Sequence, residues 1–274
     1  MNNVISTRAI VFRNIKDFKF VPKMQQENAQ QIVEMLNGVI KDKMLFINTS
    51  SVDVSTLKNL KNNELMLNNA QNLFISKENL AINLFTGEHI SIVSSGEGYN
   101  KNIVTNALDV ANDLSNKIAF SYNDQYGYLM SDINKIGSGI VIESTIMLSA
   151  ITKINKIEQV KQNISKLGFS LKETKYPAVY TLSTKCNLGI SEKKICEDFE
   201  NTLAKLQELE IESVKMVDIS NHDEMLDKVS RSVAIINNAH LLTYDELYNI
   251  IVNLRMGLNL GLCNIKLETL NIAN

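Results

Sequence analysis

The stretch "VISTRAIVFRN", Val4 to Asn14, sets two arginines, Arg8 and Arg13, inside an otherwise apolar run, with the hydroxyl pair Ser6 and Thr7 just ahead of the first. β-branched and aromatic residues at this density predict a strand meant for burial. A fixed positive charge in such a strand is either an anion contact or an edge-strand arginine that reaches out to water. Both remain open for Arg8. Arg13 reads as a structural partner of a carboxylate.

Working outward, "KMQQENAQQIVEMLNGVIKDK" places Ile32, Val33, Leu36, Val39 and Ile40 at helical spacing. "SVDVSTLKNLKNNELM" predicts a shorter helix. "LAINLFTGEHISIVSS" holds two β-rich runs around Thr86-Gly87-Glu88, with alternation in His89-Ile90-Ser91-Ile92, which predicts a hairpin. A helix with Ile103, Ala107, Val110, Ala111, Leu114 and Ile118 on one face follows, then "YGYLMSD" as a strand and the apolar "GSGIVIESTIMLSAI". "NKIEQVKQNISKLG" predicts a helix ended by Gly168, "YPAVYTLSTK" a strand, and Ser191 the start of a long helix. Beyond about Asp218 only helices are expected, the second opened by a Thr243–Glu246 capping box. Strands alternating with helices, then helices alone, predict an α/β or α+β domain over residues 1–218 and a small helical segment over 219–274.

Composition bounds the function. The 274 residues are 45% hydrophobic and 21% charged, with a formal net charge of −2. That balance gives no broad basic surface, so nucleic acid is not an expected partner. No apolar run reaches the roughly 20 residues of a membrane helix, and no basic-then-apolar leader opens the chain, so no membrane is expected and the expected compartment is the cytoplasm. Cys186, Cys196 and Cys263 are odd in number and far apart, and His89, His222 and His240 lack ligand spacing, so neither a disulfide framework nor a metal site is expected.

Several stretches, in order, resemble the ATP:guanidino phosphotransferases, in the bacterial protein arginine kinase branch. "VISTRAIVFRNI" resembles that family's S-x-R-x-R-x-x-R-N opening, "LFTGEHISI" its Asn-Glu-Glu-Asp-His motif, and "SYNDQYGYLMSDINKIGSG" its F-x-E-x-x-G-Y-L-T-S-C-P-T-N-x-G-T-G. "LSTKCNLGISEKKICEDFENTLAKL" and the helical "LDKVSRSVAIINNAHLLTYDELYNIIVNLRMGLNLGL" continue the likeness. The resemblance implies a phosphagen-kinase-like catalytic domain, an antiparallel or mixed sheet flanked by helices, and a C-terminal helical segment that supports dimerisation. Against the arginine kinases the chain looks shortened at its C-terminal side.

It also implies a site. The nucleotide side falls on Ser6, Thr7, Arg8 and His89, and the catalytic acids on Glu88 and Asp132, the latter in the active-site cysteine's place. Several expected groups are replaced. Cations of the motif fall on Ile10, Ser91, Val141 and near Lys172; the two glutamates fall on Thr86 and Gly87; and the loop within "LGFSLKETKYPAVYTLS" is shortened. Transfer of a γ-phosphoryl group requires dense positive charge around the triphosphate and carboxylates at the acceptor guanidinium. The expectation is therefore a homologue with a degraded active site, a pseudokinase that acts by binding protein, with ATP and Mg as cofactors only where binding is retained. One alternative is an active, divergent protein-arginine kinase using Glu88 and Asp132; another is a purely structural protein without nucleotide. Each of Glu88 and His89 also has a bland alternative, a solvated turn residue and a satisfied strand histidine. Expected partners are a second copy or a related kinase subunit, its activator, or a stress-response regulator.

Overall fold

The computed structural model describes residues 3–40, 43–76, 78–185, 188–217 and 222–263. In chain order the elements are β1 (Val4–Arg13), α1 (Gln26–Ile40), β2 (Leu45–Asn48), α2 (Val54–Asn62), β3 (Asn72–Ile75), β4 (Leu80–Leu84), β5 (Ile90–Glu97) and α3 (Lys101–Ser115). They continue with β6 (Tyr122–Asn123), β7 (Gly127–Tyr128), β8 (Ile140–Met147), α4 (Ser149–Lys153), α5 (Ile157–Lys166), β9 (Phe169–Glu173) and β10 (Val179–Thr184). Three longer helices close the described chain: α6 (Glu192–Val214), α7 (His222–Asn238) and α8 (Tyr244–Asn259). The main sheet has eight strands in the order β2-β3-β4-β5-β1-β8-β10-β9, and β6 and β7 pair separately. This is an α+β fold. Two compact units divide it.

The first unit is built from Ser6–Ser144 and Ser183–Phe199. Here β1 runs antiparallel to β5, with Ser6 opposite Glu97 and Arg13 opposite Ile90. β4 and β5 form the expected hairpin, and every residue of β4 is buried. The alternation predicted for β5 is not a buried-exposed alternation: Ser91 and Ser94 are as buried as Ile90 and Ile92. A hydroxyl survives there because it is bonded, as Ser91 Oγ is to Thr86 Oγ1 at 2.8 Å. α1 buries Ile32, Leu36 and Ile40, and α3 buries Ile103, Val104, Ala107, Ala111 and Leu114, each at helical spacing. Asp53 caps α2 by accepting the Thr56 N–H at 2.8 Å.

The strand expected over "YGYLMSD" is only two residues long, Gly127–Tyr128. The amides of Ser131 and Asp132 go to a carboxylate instead of to a neighbouring strand. Gly139 lies close to β1 in the left-handed region at φ +63°, where a Cβ would come 2.6 Å from Met130 Cε and 2.9 Å from the Phe12 carbonyl. Glycine is required there for both reasons.

The second unit takes the N-terminal residues to Ile5, Thr145–Leu182 and the chain from Glu200 on. α7 and α8 pack through Met225, Val229, Ile250 and Leu254. The capping box is present: the Thr243 N–H donates to Glu246 Oε2 at 2.9 Å, and the Glu246 N–H to Thr243 Oγ1 at 3.2 Å. A second cluster joins Met147, Val179, Tyr248 and Val252. Glu210 of α6, almost fully buried, accepts the Ala150 and Ile151 N–H groups at 2.7 and 3.0 Å, and burial pushes its pKa up. Cys196 and Cys263 are half-buried; Cys186 and the residues after Cys263 lie outside the described residues.

Candidate nucleotide and acceptor site

The period of a strand puts Arg8, Ile10 and Phe12 on one face of β1 and Thr7, Ala9, Val11 and Arg13 on the other. On the first face Arg8 meets Glu143 of β8, Nε to Oε2 at 2.7 Å and Nη2 to the same oxygen at 2.5 Å. The second Glu143 oxygen accepts Ser183 Oγ at 3.2 Å. Arg8 is therefore neutralised within the protein. Ser6 Oγ donates to Glu64 Oε1 at 2.9 Å, and the Thr7 hydroxyl shares a buried 2.7 Å hydrogen bond with Ser144.

The remaining part of that face carries an apolar cluster with a cation against it, Lys135, whose Nζ lies 4.1 Å over the Phe12 ring. Ile10, Phe12, Val93 and Met130 form one cluster, against which Leu67, Tyr128, Ile136 and Val141 pack. The segment carrying Leu67 is fixed by side chains of the sheet. Asn83 accepts the Leu67 N–H at 3.0 Å and donates to the Leu65 carbonyl at 2.9 Å, and Ser95 Oγ donates to the Asn63 carbonyl at 2.5 Å. Lys172 is exposed on β9.

The acids lie beyond the far end of β1, where Glu88 is bonded to Asn14, roughly 20 Å along the chain from Arg8 at about 3.3 Å per residue. Glu88 is not a solvated turn residue. It is fully buried: Oε1 accepts the Ser131 and Asp132 N–H groups at 3.0 and 3.2 Å, and Oε2 accepts Asn14 Nδ2 at 2.6 Å and Ser131 N–H at 2.9 Å. Asn14 also accepts the His89 N–H at 2.8 Å. Glu88 thus pins the segment that bears Asp132. The Asp132 carboxylate is turned to local work, accepting Asn134 N–H at 3.0 Å with Lys135 Nζ at 3.7 Å. Arg13, nearly inaccessible, donates to the Phe12 and Ser138 carbonyls at 2.8 and 2.9 Å and to Glu192 at 3.0 Å, and its guanidinium lies 3.5 Å over the Tyr128 ring.

Residues 12–213 match the ATP:guanido phosphotransferase C-terminal catalytic domain. The chain belongs to the ATP:guanido phosphotransferase family. Residues 222–273 match the protein-arginine kinase McsB C-terminal domain. The protein-arginine kinase of Clostridium perfringens is 25% identical over 289 residues, covering 98% of this chain and 86% of that protein. The Bacillus cereus protein-arginine kinase is also 25% identical, over 94% of this chain and 78% of its own length. Among solved structures, lombricine kinase matches with a TM-score of 0.69 at 15% identity, over 80% of this chain and 69% of its own. The substrate-free duplicated taurocyamine kinase from Schistosoma mansoni gives 0.67 at 18% identity, over 76% of this chain; the chain spans 33% of that duplicated protein. These two likenesses are likenesses of fold.

In this member of the ATP:guanido phosphotransferase family the structure brings Glu88 and Asp132 together through a backbone hydrogen bond and joins Ser6, Thr7 and Arg8 to Glu64, Ser144 and Glu143 of the same chain. Several organising residues escaped the sequence reading. Glu143 shares a strand face with Val141, two residues earlier, so its register was legible once β8 was placed; its pairing with Arg8 needed the sheet order. Glu192, Asn14 and Asn83 are ordinary polar residues in sequence and reveal themselves only through their partners. Among the described residues no group of three His, Cys, Asp or Glu could hold a metal ion, and no helix is long and apolar enough to cross a membrane.

His89 is the satisfied histidine. Its Nδ1 accepts the Ile15 N–H at 3.0 Å, which leaves Nε2 as the donor to the Lys19 carbonyl at 2.9 Å, so the ring is held neutral. Burial lowers its pKa, against the opposing pull of the Lys19 carbonyl and Glu88. An unfolded histidine binds its proton near pH 6.5, so below that value the unfolded chain takes up a proton that the folded chain refuses. Stability should fall as pH drops from about 6.5 toward the lowered folded value. Denaturant midpoints at pH 7.5 and 5.5 should show a loss that is smaller in His89→Gln; an equal loss in both proteins would refute the assignment.

Proposed function

We propose that this homologue of the protein-arginine kinases acts by binding protein and not by moving phosphate. The observation that carries this is the face of β1. Ile10 and Val141, on which the family motif places cations, lie in one apolar cluster, and Arg8 beside them is neutralised by Glu143. A charge-assisted hydrogen bond contributes roughly 1.5–3 kcal/mol, so three missing cations weaken a triphosphate complex by about 5 kcal/mol or more, over a thousandfold in Kd. The acceptor side points the same way. Glu88 is fully buried and accepts three N–H donors, so its carboxylate is committed to the interior and not presented to a guanidinium.

In this reading ATP and Mg are not retained, and the partner is a related kinase subunit, its activator or a stress-response regulator in the cytoplasm, met as a dimer or a hetero-oligomer. Two measurements on the purified full chain test it. ATP–Mg at millimolar concentration should leave the melting temperature unchanged, and labelled ATP should leave an arginine-rich acceptor protein unlabelled. The approach of Glu88 to the Asp132 backbone gives the divergent-enzyme alternative its one foothold. Label transfer that disappears in Asp132→Asn would overturn the proposal in that enzyme's favour.

A further inference from the structure

The turn between β9 and β10 is five residues long, Thr174 to Ala178, and it is held from two sides. From within, the Thr174 N–H and Oγ1 both donate to the Val179 carbonyl at 3.0 Å, and the Tyr176 N–H donates to Thr174 Oγ1 at 3.2 Å. Ala178 sits in the left-handed region at φ +58°, a conformation that a non-glycine residue keeps only when its surroundings fix it.

From without, the Leu148 N–H donates to the Ala178 carbonyl at 2.9 Å, and α8 packs on Lys175 and Tyr176. The Tyr176 ring stacks on Tyr248 with centroids 3.5 Å apart and an interplanar angle of 11°. Lys175 reaches Asp245, one turn earlier on α8, at 3.1 Å. Beneath the rings Tyr248 and Val252 are buried against Val179 and Met147. The ion pair is exposed and contributes little. The stack is the specific link, because the two ring faces cover each other from water and truncating either uncovers both.

We propose that the β9–β10 turn and α8 form a latch, in which the Tyr176–Tyr248 stack makes opening of the turn and release of the helix a single event. Whatever draws α8 away then frees the turn, and whatever occupies the turn loosens α8. This coupling lies within one compact unit and does not depend on whether ATP binds, so its failure leaves the function proposed above untouched.

Hydrogen exchange on the full chain tests it, read by mass spectrometry for Thr174–Val179, for the α8 amides up to Val252, and for α1 as a reference. Tyr176→Ala should accelerate exchange in α8 roughly tenfold although α8 is unaltered, and Tyr248→Ala should accelerate the turn by a similar factor. Tyr248→Phe, which keeps a ring to stack, should resemble the parent in both segments. If each alanine substitution loosens only its own segment, the latch is refuted. If Tyr248→Ala also loosens α1, the buried ring has disturbed the whole chain, and Tyr176→Ala alone decides: α8 faster supports the latch, α8 unchanged overturns it.

Discussion

Arg13→Met should destabilise the protein by about 3–5 kcal/mol, the scale on which a buried ionic group is broken by removing one partner. Methionine fills similar space, so the loss is electrostatic and not a cavity. The substitution strips donors from the Phe12 and Ser138 carbonyls, leaves Glu192 without its 3.0 Å partner, and removes the charge from the Tyr128 face. Burial already pulls the Arg13 pKa below its ordinary value, with Tyr128 and Glu192 opposing the pull. The site therefore works as a unit. Glu192 is partly exposed, so Glu192→Gln should cost only about 1 kcal/mol, since water takes over for the lost charge. For a chain of this size the Arg13→Met loss is a fall of roughly 10 °C in melting temperature. A fall under about 2 °C would show that the guanidinium is dispensable, and that the carbonyls find other donors.

Glu88→Gln should cost about 2–4 kcal/mol, because it exchanges an acceptor for a donor where only donors converge. Ser131 N–H, Asp132 N–H and Asn14 Nδ2 all point at this carboxylate. The amide can offer them one oxygen; its nitrogen opposes one of the donors. Urea unfolding gives the loss, and amide exchange locates it: residues 128–137 should exchange faster in the variant than α1 does. The same experiment separates two roles. A catalytic base can be replaced by its amide with little loss of stability, and often with a gain. An unchanged or raised midpoint would mean that Glu88 is kept for chemistry and not for holding the segment around Asp132.

Much of the fold was legible. The β4–β5 hairpin, the amphipathic faces of α1 and α3, and the Thr243 capping box each rest on local patterns that the sequence carries by itself. The order of motif-bearing segments likewise pointed to the family before any geometry. The misjudged points are tertiary. The sequence predicts a longer strand around Gly127–Tyr128 and, for Glu88, either a catalytic acid or a solvated turn residue, because neither position's neighbours announce that a buried Glu88 collects the Ser131 and Asp132 amides. Alternation in β5 could not say that both of its faces would be covered. Of the two readings open for Arg8, an anion contact or a reach to water, the structure takes the first, with the anion supplied by Glu143 of β8.

That choice limits how the sheet face can change. Removing Glu143 alone leaves the Arg8 charge to water, a loss of the same modest order as that expected for Glu192→Gln. A cation placed alone at position 10 would sit among Val93, Met130 and Phe12. The two walls therefore differ in how they take a new charge: the rim around Arg8 can hand it to water, whereas position 10 cannot.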